Sequence, residues 1–290
     1  MKNWREQLSR KRWMQLGFPS RACAFLFLVA FAFTAAAVAD PVAVHHPEGT
    51  LHGFLSLSTS GGRVLAAGDL LQVADGDRVT SHLVFHFKDG SIDDEITVFD
   101  QKDHFRLISD HHVQKGPFFP TSIDMVIDAL NGQVTVRSRK KNGKEELKSE
   151  HMDLPPDLCN GIVTPIVQNL NPDSAETELS MVVATPAPRL VTLSITSQGT
   201  HAFALAGQRR HALGYNIKFK LGGLAGIIAP LVGKSPPDVH IWVQGGEMPT
   251  FIREEGPTYS EGPILVIQLA SPVWFRASPA GSRKRGAPAK

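Results

Sequence analysis

The chain is poor in the features that mark the commoner functional classes. Of its 290 residues only two are cysteine, Cys23 and Cys159. The first falls in an N-terminal segment read below as a leader. The body then holds Cys159 alone, forms no internal disulfide, and must draw its stability from burial. No base can be paired with Cys159, and its neighbours Leu158 and Ile162 are apolar, so it reads as a small buried residue. A basic cluster able to displace counterions from phosphates is missing as well. Residues 1–39 carry six Lys/Arg against Glu6, which leaves 24 basic and 27 acidic residues for the rest. That balance argues against a nucleic-acid partner.

Catalytic signatures are equally scarce. There is no Gly-x-Ser-x-Gly elbow to expose a nucleophile, and no His-Glu-x-x-His pair to set two imidazoles and a base on one helical face. Gly233-Lys234-Ser235 lacks the glycine that a phosphate loop needs at 228, which is Ile228, and no Gly-x-Gly-x-x-Gly occurs. No catalytic residue, metal site or cofactor is assigned on this basis.

What is present begins with a compartment signal. Residues 22–39 read ACAFLFLVAFAFTAAAVA, without a charge, behind a basic stretch and ending in Ala37-Val38-Ala39. This is the layout of a signal peptide cut before Asp40, and it predicts a periplasmic or secreted protein. The alternative is a retained anchor, since eighteen residues of helix rise about 27 Å, close to a bilayer core, and would give membrane association through the N-terminus. Ser9-Arg10-Lys11-Arg12 departs from a twin-arginine signal by one lysine.

The body alternates apolar and polar residues with period two, which predicts an antiparallel sheet with one buried face. Leu83, Phe85 and Phe87 share a face, Asp89-Gly90 turns the chain, and residues 96–99 and 105–112 continue a meander. Ile123, Met125 and Ile127 form another face, Asn131-Gly132 another turn, and the charged run 139–144 a solvated hairpin tip. Further strands are read at 179–184, 191–196, 201–205, 215–221, 239–243, 250–253 and 263–269. The rhythm breaks at 153–161. Leu154, Leu158, Ile162, Ile166 and Leu170 recur every four residues and predict a short helix capped by Asp153, kinked at Pro165 and laid over the sheet. GGLAGIIAPLVG at 222–233 reads as a buried loop or as a glycine-hinged lid. Residues 276–290, with five basic residues among Ala, Gly, Pro and Ser, read as a disordered tail. One β-rich domain is expected over 40–275.

Twelve histidines invite a metal hypothesis. His82 and His86 share a strand face about 13 Å apart, too far to chelate one ion, and His111 and His112 point to opposite faces. Convergence of His86 or His112 with Asp124 or Asp128 is the remaining route. Asp93, Asp94 and Glu95 read as a solvated hairpin end. Trp242 faces away from Ile241 and Val243 and, in a curved sheet, would line the hollow side with Tyr215 or Phe219.

HGFLSL (52–57), FKDGSIDDEITVF (87–99), FRLISDHHVQKGPFFP (105–120), HMDLPPDLCNG (151–161) and YNIKFKLGGLAGIIAPLVGKSPPDVHIWV (215–243) resemble an uncharacterised family of exported bacterial proteins. The order of elements is similar to that of periplasmic lipoprotein-carrier-like half-barrels. That likeness implies a strongly curved antiparallel sheet, an open or half barrel with one or two short covering helices, around a hollow that receives acyl chains. The expected function is noncatalytic binding of a lipid or apolar small molecule by Leu158, Ile162, Ile166, Ile227 and Trp242. A metal-dependent envelope hydrolase and a structural or assembly role in the envelope are the rival readings.

Overall fold

The structure, a computed structural model, describes residues 41–184, 187–220 and 236–271. The leader, the 222–233 segment with Ile227, and the basic tail lie outside these residues. The described chain is mainly β, in fourteen strands: β1 (Leu51–Thr59), β2 (Val64–Asp75), β3 (Arg78–Phe87), β4 (Ile92–Asp100), β5 (Arg106–Lys115), β6 (Thr121–Asp128), β7 (Gln133–Lys140), β8 (Glu145–His151), β9 (Thr177–Ala184), β10 (Pro188–Leu205), β11 (Gln208–Lys220), β12 (Val239–Gln244), β13 (Thr250–Gly256) and β14 (Leu265–Leu269). All pair antiparallel in one sheet of order β8-β7-β6-β5-β4-β3-β2-β1-β14-β13-β12-β11-β10-β9.

The expected turns at 88–91 and 131–132 connect β3 to β4 and β6 to β7. Two differences stand out. The segments 191–196 and 201–205 belong to one long strand, β10, which continues through a bulge between Ser197 and Gly199. The charged stretch after residue 144 is itself a strand, β8, whose Glu145, Lys148 and Glu150 are exposed on the sheet's edge. Charge there opposes pairing with another chain.

Curvature follows from which residues meet. β7 and β10 stand near opposite ends of the strand order, which in a flat sheet would separate them by about 50 Å at ~4.8 Å per strand. Yet Val134 and Val136 of β7 share one buried cluster with Leu193 and Ile195 of β10, and with Phe99, Tyr215 and Ile241. The sheet therefore curls, its concave face becomes a core, and its edges β8 and β9 do not pair into a closed barrel. A second buried cluster, Leu55, Leu57, Phe85, Phe87, Phe119 and Leu265, fills another part of the same face.

The edge of β9 is covered by the segment after β8. Cys159 N–H donates to Ser180 O at 2.8 Å. The Asn160 side chain bonds Val182 both ways, at 2.9 and 2.8 Å. This is why the expected helix over 154–170 is mostly absent. An edge strand offers residues 157–160 partners that a helix would forbid, and the only helix among the described residues is α1 (Val163–Gln168). Asp153 does not cap it. Pro165 does not break it either, because it sits in the first turn, where no backbone N–H is needed. Gly161, φ +65°, turns the chain between the two parts, and a Cβ there would collide with the Thr97 side chain. The first described residues run along the β4–β5 connection through an isolated bridge, Ala43 with His104, and the Asn169 side chain accepts the N–H groups of His45 and His46 at 2.7 and 2.6 Å.

Gly161 and Gly143 both have positive φ, but nothing lies within 4 Å of a Cβ built at Gly143. Gly143→Ala is expected to cost about 1 kcal/mol from backbone conformation alone. Gly161→Ala is expected to cost about 2–4 kcal/mol, since overpacking against Thr97 adds to it. Urea unfolding of the two variants measures the difference, and equal losses would contradict the packing described.

Candidate functional site

Strand alternation places a polar layer on the concave face. In β4 the residues Asp93, Glu95 and Thr97 share parity with Phe99, which is fully buried. Opposite them on β5 stand Gln114, His112 and Asp110, in register as Asp93–Gln114, Glu95–His112 and Thr97–Asp110. A bulge between Val98 and Phe99 brings these β5 residues and Leu107 onto one face. Glu254 of β13 joins from across the curl. Its register partners Ile241 and Ile267 face the interior.

The contacts form one network. His112 Nε2–H donates to Asp93 Oδ1 at 2.7 Å, and His112 Nδ1 lies 4.0 Å from Glu95 Oε1. Gln114 Nε2 donates to Asp93 Oδ2 at 3.0 Å and to the Thr258 carbonyl at 2.7 Å. Thr97 Oγ1 donates to Asp110 Oδ1 at 2.9 Å. Asp110 Oδ2 and Thr258 Oγ1 are buried without a partner among the described residues.

These contacts shape the charges. Burial pushes the His112 imidazole toward neutrality, but the Glu95 charge, the hydrogen bond to Asp93 and the charges of Asp93 and Asp110 outweigh it and raise its pKa to about 10. Asp110 is pushed up to about 7 by burial and by the Glu95 charge, against the pull of His112 and Thr97. Burial alone lifts Glu254 to about 7. Glu95 is raised by burial and by Asp93 and Glu254, with His112 opposing.

Such desolvation belongs to groups deep within the curl, yet they are not closely covered. The side chains of His112 and Glu95 keep 24% and 25% of their surface. Leu70, Leu83, Phe251 and Ile267, also inward and packed against the second buried cluster, are half-buried. This part of the concave face is therefore filled less tightly than the main core.

The residues singled out from sequence are placed differently. Leu158, Ile162 and Ile166 come together, but at 2%, 0% and 2% exposure their surface is used in packing the main core. Trp242 is on the outer face. Its register partner Gly214 lies beside Tyr215, which points inward, and the indole stacks on His240 and meets His201 edge-on, with ring centroids 5.9 and 6.1 Å apart. A Cβ at Gly214 would crowd both His201 and Trp242. Trp242 therefore does not share a hollow with Tyr215, because adjacent residues of a strand face opposite ways.

Two other expectations are corrected. Asp93 and Glu95 are not in a solvated hairpin end. β4 starts at Ile92, so the pair points inward and Asp94 outward, to His82 at 2.8 Å. His112 does not meet Asp124 or Asp128. His111 bonds Asp124 at 2.9 Å on the outer face, Asp128 bonds Asn131 in a turn, and no three His, Cys, Asp or Glu side chains converge on one point among the described residues. Cys159 is buried, with its thiol pKa pushed up by burial. The polar layer carried a readable signal, the parity that ties Asp93, Glu95 and Thr97 to Phe99.

Comparison with known proteins adds little to this geometry. No family model matches the chain, and no curated protein does. A crystal structure of a beta-barrel-like protein of a domain of unknown function, DUF1849, from Brucella abortus is similar over 77% of this chain and 98% of its own, with 9% identity and a TM-score of 0.40.

The raised pKa values set a pH dependence. The native state binds more protons than the unfolded chain between about pH 4 and 7 through Asp110 and Glu254, and between about 6.5 and 10 through His112. Stability is thus expected to fall as pH rises across both windows. Denaturant midpoints from pH 4.5 to 9 measure this slope. Asp110→Asn should reduce the slope below pH 7 to the share of Glu254 and shorten the alkaline part, because the Asp110 charge helps raise His112.

Proposed function

We propose that this chain is a noncatalytic binding protein of the cell envelope, periplasmic or secreted, that holds a small molecule with an apolar body inside its curved sheet. One observation carries the reading: Leu70, Leu83, Phe251 and Ile267 face the interior beside Glu95, His112 and Glu254, yet are only half-buried. Apolar surface left uncovered inside a protein is the usual lining of a ligand site. The leader-like N-terminus supports the location, and the likeness to lipoprotein-carrier half-barrels agrees with the mode of binding. Leu158, Ile162 and Ile166 then serve as the packed floor of the interior rather than as contacts.

A second reading, assembly within the envelope, is favoured by the outer face. A cross-strand row of His52, Leu71, His82, Ile96, His111 and Val126 runs in register over β1 to β6. Leu71, Val126 and the nearby Phe54 are 49%, 41% and 46% exposed. Apolar surface of this kind marks interaction sites.

Native mass spectrometry of protein purified from its own envelope separates the two. A co-purifying small molecule, released on unfolding, is the expected result. Bare chain in defined oligomers would favour assembly and overturn the binding reading.

A further inference from the structure

The interior polar layer is unbalanced in charge. Four carboxylates, Asp93, Glu95, Asp110 and Glu254, share the concave face with one imidazole. His112 is committed to Asp93, which also accepts from Gln114. Among the described residues no lysine or arginine bonds any of the four. Asp110, at 1% exposure, keeps one oxygen without a partner, and its neighbour Glu95 retains a quarter of its side-chain surface. The Thr258 hydroxyl, in the loop that Gln114 reaches, is also buried and unpaired. A buried carboxylate oxygen left unsatisfied is costly, and a donor from outside the arrangement would offset that cost.

We infer that the polar end of the interior receives an organic cation, a protonated amine attached to an apolar body, bound by Asp110 on β5, Glu95 on β4 and Glu254 on β13. This inference rests on the binding reading above and names the ligand class. The carboxylates come from three strands and do not converge as metal ligands do. An ammonium group needs one contacting carboxylate, the unpaired Asp110 oxygen, with the acidic charge of Glu95 and Glu254 acting at longer range, where a metal ion requires several oxygens within about 2.6 Å of one point. The half-buried Leu70, Leu83 and Ile267 supply the apolar wall next to it. The same layer disfavours an anion. A fatty acid carboxylate would enter beside Glu95, Glu254 and the unpaired Asp110 oxygen, with the single imidazolium already engaged.

The test is isothermal titration calorimetry of the intact protein at pH 8 with octylamine, octanol and octanoate, which share one tail. Octylamine is expected to bind at least ten-fold tighter than octanol, and octanoate weakest. Asp110→Asn and Glu254→Gln should each weaken octylamine ten-fold or more while circular dichroism stays unchanged. Removing a desolvated carboxylate relieves the fold, so these variants remain folded. Asp94→Asn, on the outer face, should leave octylamine binding unaltered. Octanol or octanoate binding as tightly as octylamine, or octylamine indifferent to both interior variants, overturns the cation assignment and leaves the binding reading standing. If none of the three binds, that reading fails with it.

Discussion

The hydrogen bonds between residues 157–160 and β9 govern how this sheet ends, and most of the interior depends on that ending. A fourteen-stranded sheet twists and coils by its own sterics, but curling alone leaves two edges with unpaired N–H and C=O groups. One edge, β8, carries charges and faces solvent. The other, β9, is paired by Cys159 and Asn160, which anchors the chain leading to α1 directly beneath the concave face. Ile162, Ile166 and Val167 are thereby held in the main core. Gly161 permits it, because the backbone passes so close to Thr97 that no side chain fits.

That anchoring also bounds the polar layer. Thr97 is pressed by Gly161 on one side and bonded to Asp110 on the other. Phe99, Phe105 and Leu107 continue from there as solid core, while Phe85, Phe87 and Phe119 build the second cluster with Leu57 and Leu265. Asp93, Glu95, Asp110, His112 and Gln114 alternate along the same two strands that feed the core. A sheet that only needed to fold would place apolar residues at those positions, since buried ionisable groups cost more than they return. Burial raises the pKa of Glu95 and Asp110, and carboxylates perturbed in this way are a usual mark of a functional site.

The outer face obeys a different economy. Each of His52, His82 and His111 meets an aspartate on the adjacent strand, Asp69, Asp94 and Asp124, at 3.5, 2.8 and 2.9 Å. These pairs are solvated and contribute little to stability. The histidines that suggested metal chemistry are thus divided. His112 alone enters the interior network, and its immediate neighbour His111 belongs to the surface row.

Where apolar and polar residues alternate cleanly, strand identity, turn position and inward parity were legible in the sequence, because period-two alternation and turn chemistry are properties of a few consecutive residues; β1, β2 and β8 were not read as strands. Leu83-x-Phe85-x-Phe87 and Asn131-Gly132 needed nothing beyond themselves. The four-residue spacing of Leu154 to Leu170 was also local, and it misled, because the unpaired edge of β9 competed for residues 157–160 and a distant edge leaves no local trace. The candidate site lay between these cases. The same parity that buries Phe99 turns Asp93 and Glu95 inward, but the acidic cluster invites a solvated reading unless its strand is known to begin at Ile92. Glu254 could be joined to Glu95 only by the tertiary structure. Their proximity is set by how tightly the whole sheet curls, a sum of small rotations over every strand pair that no single segment encodes.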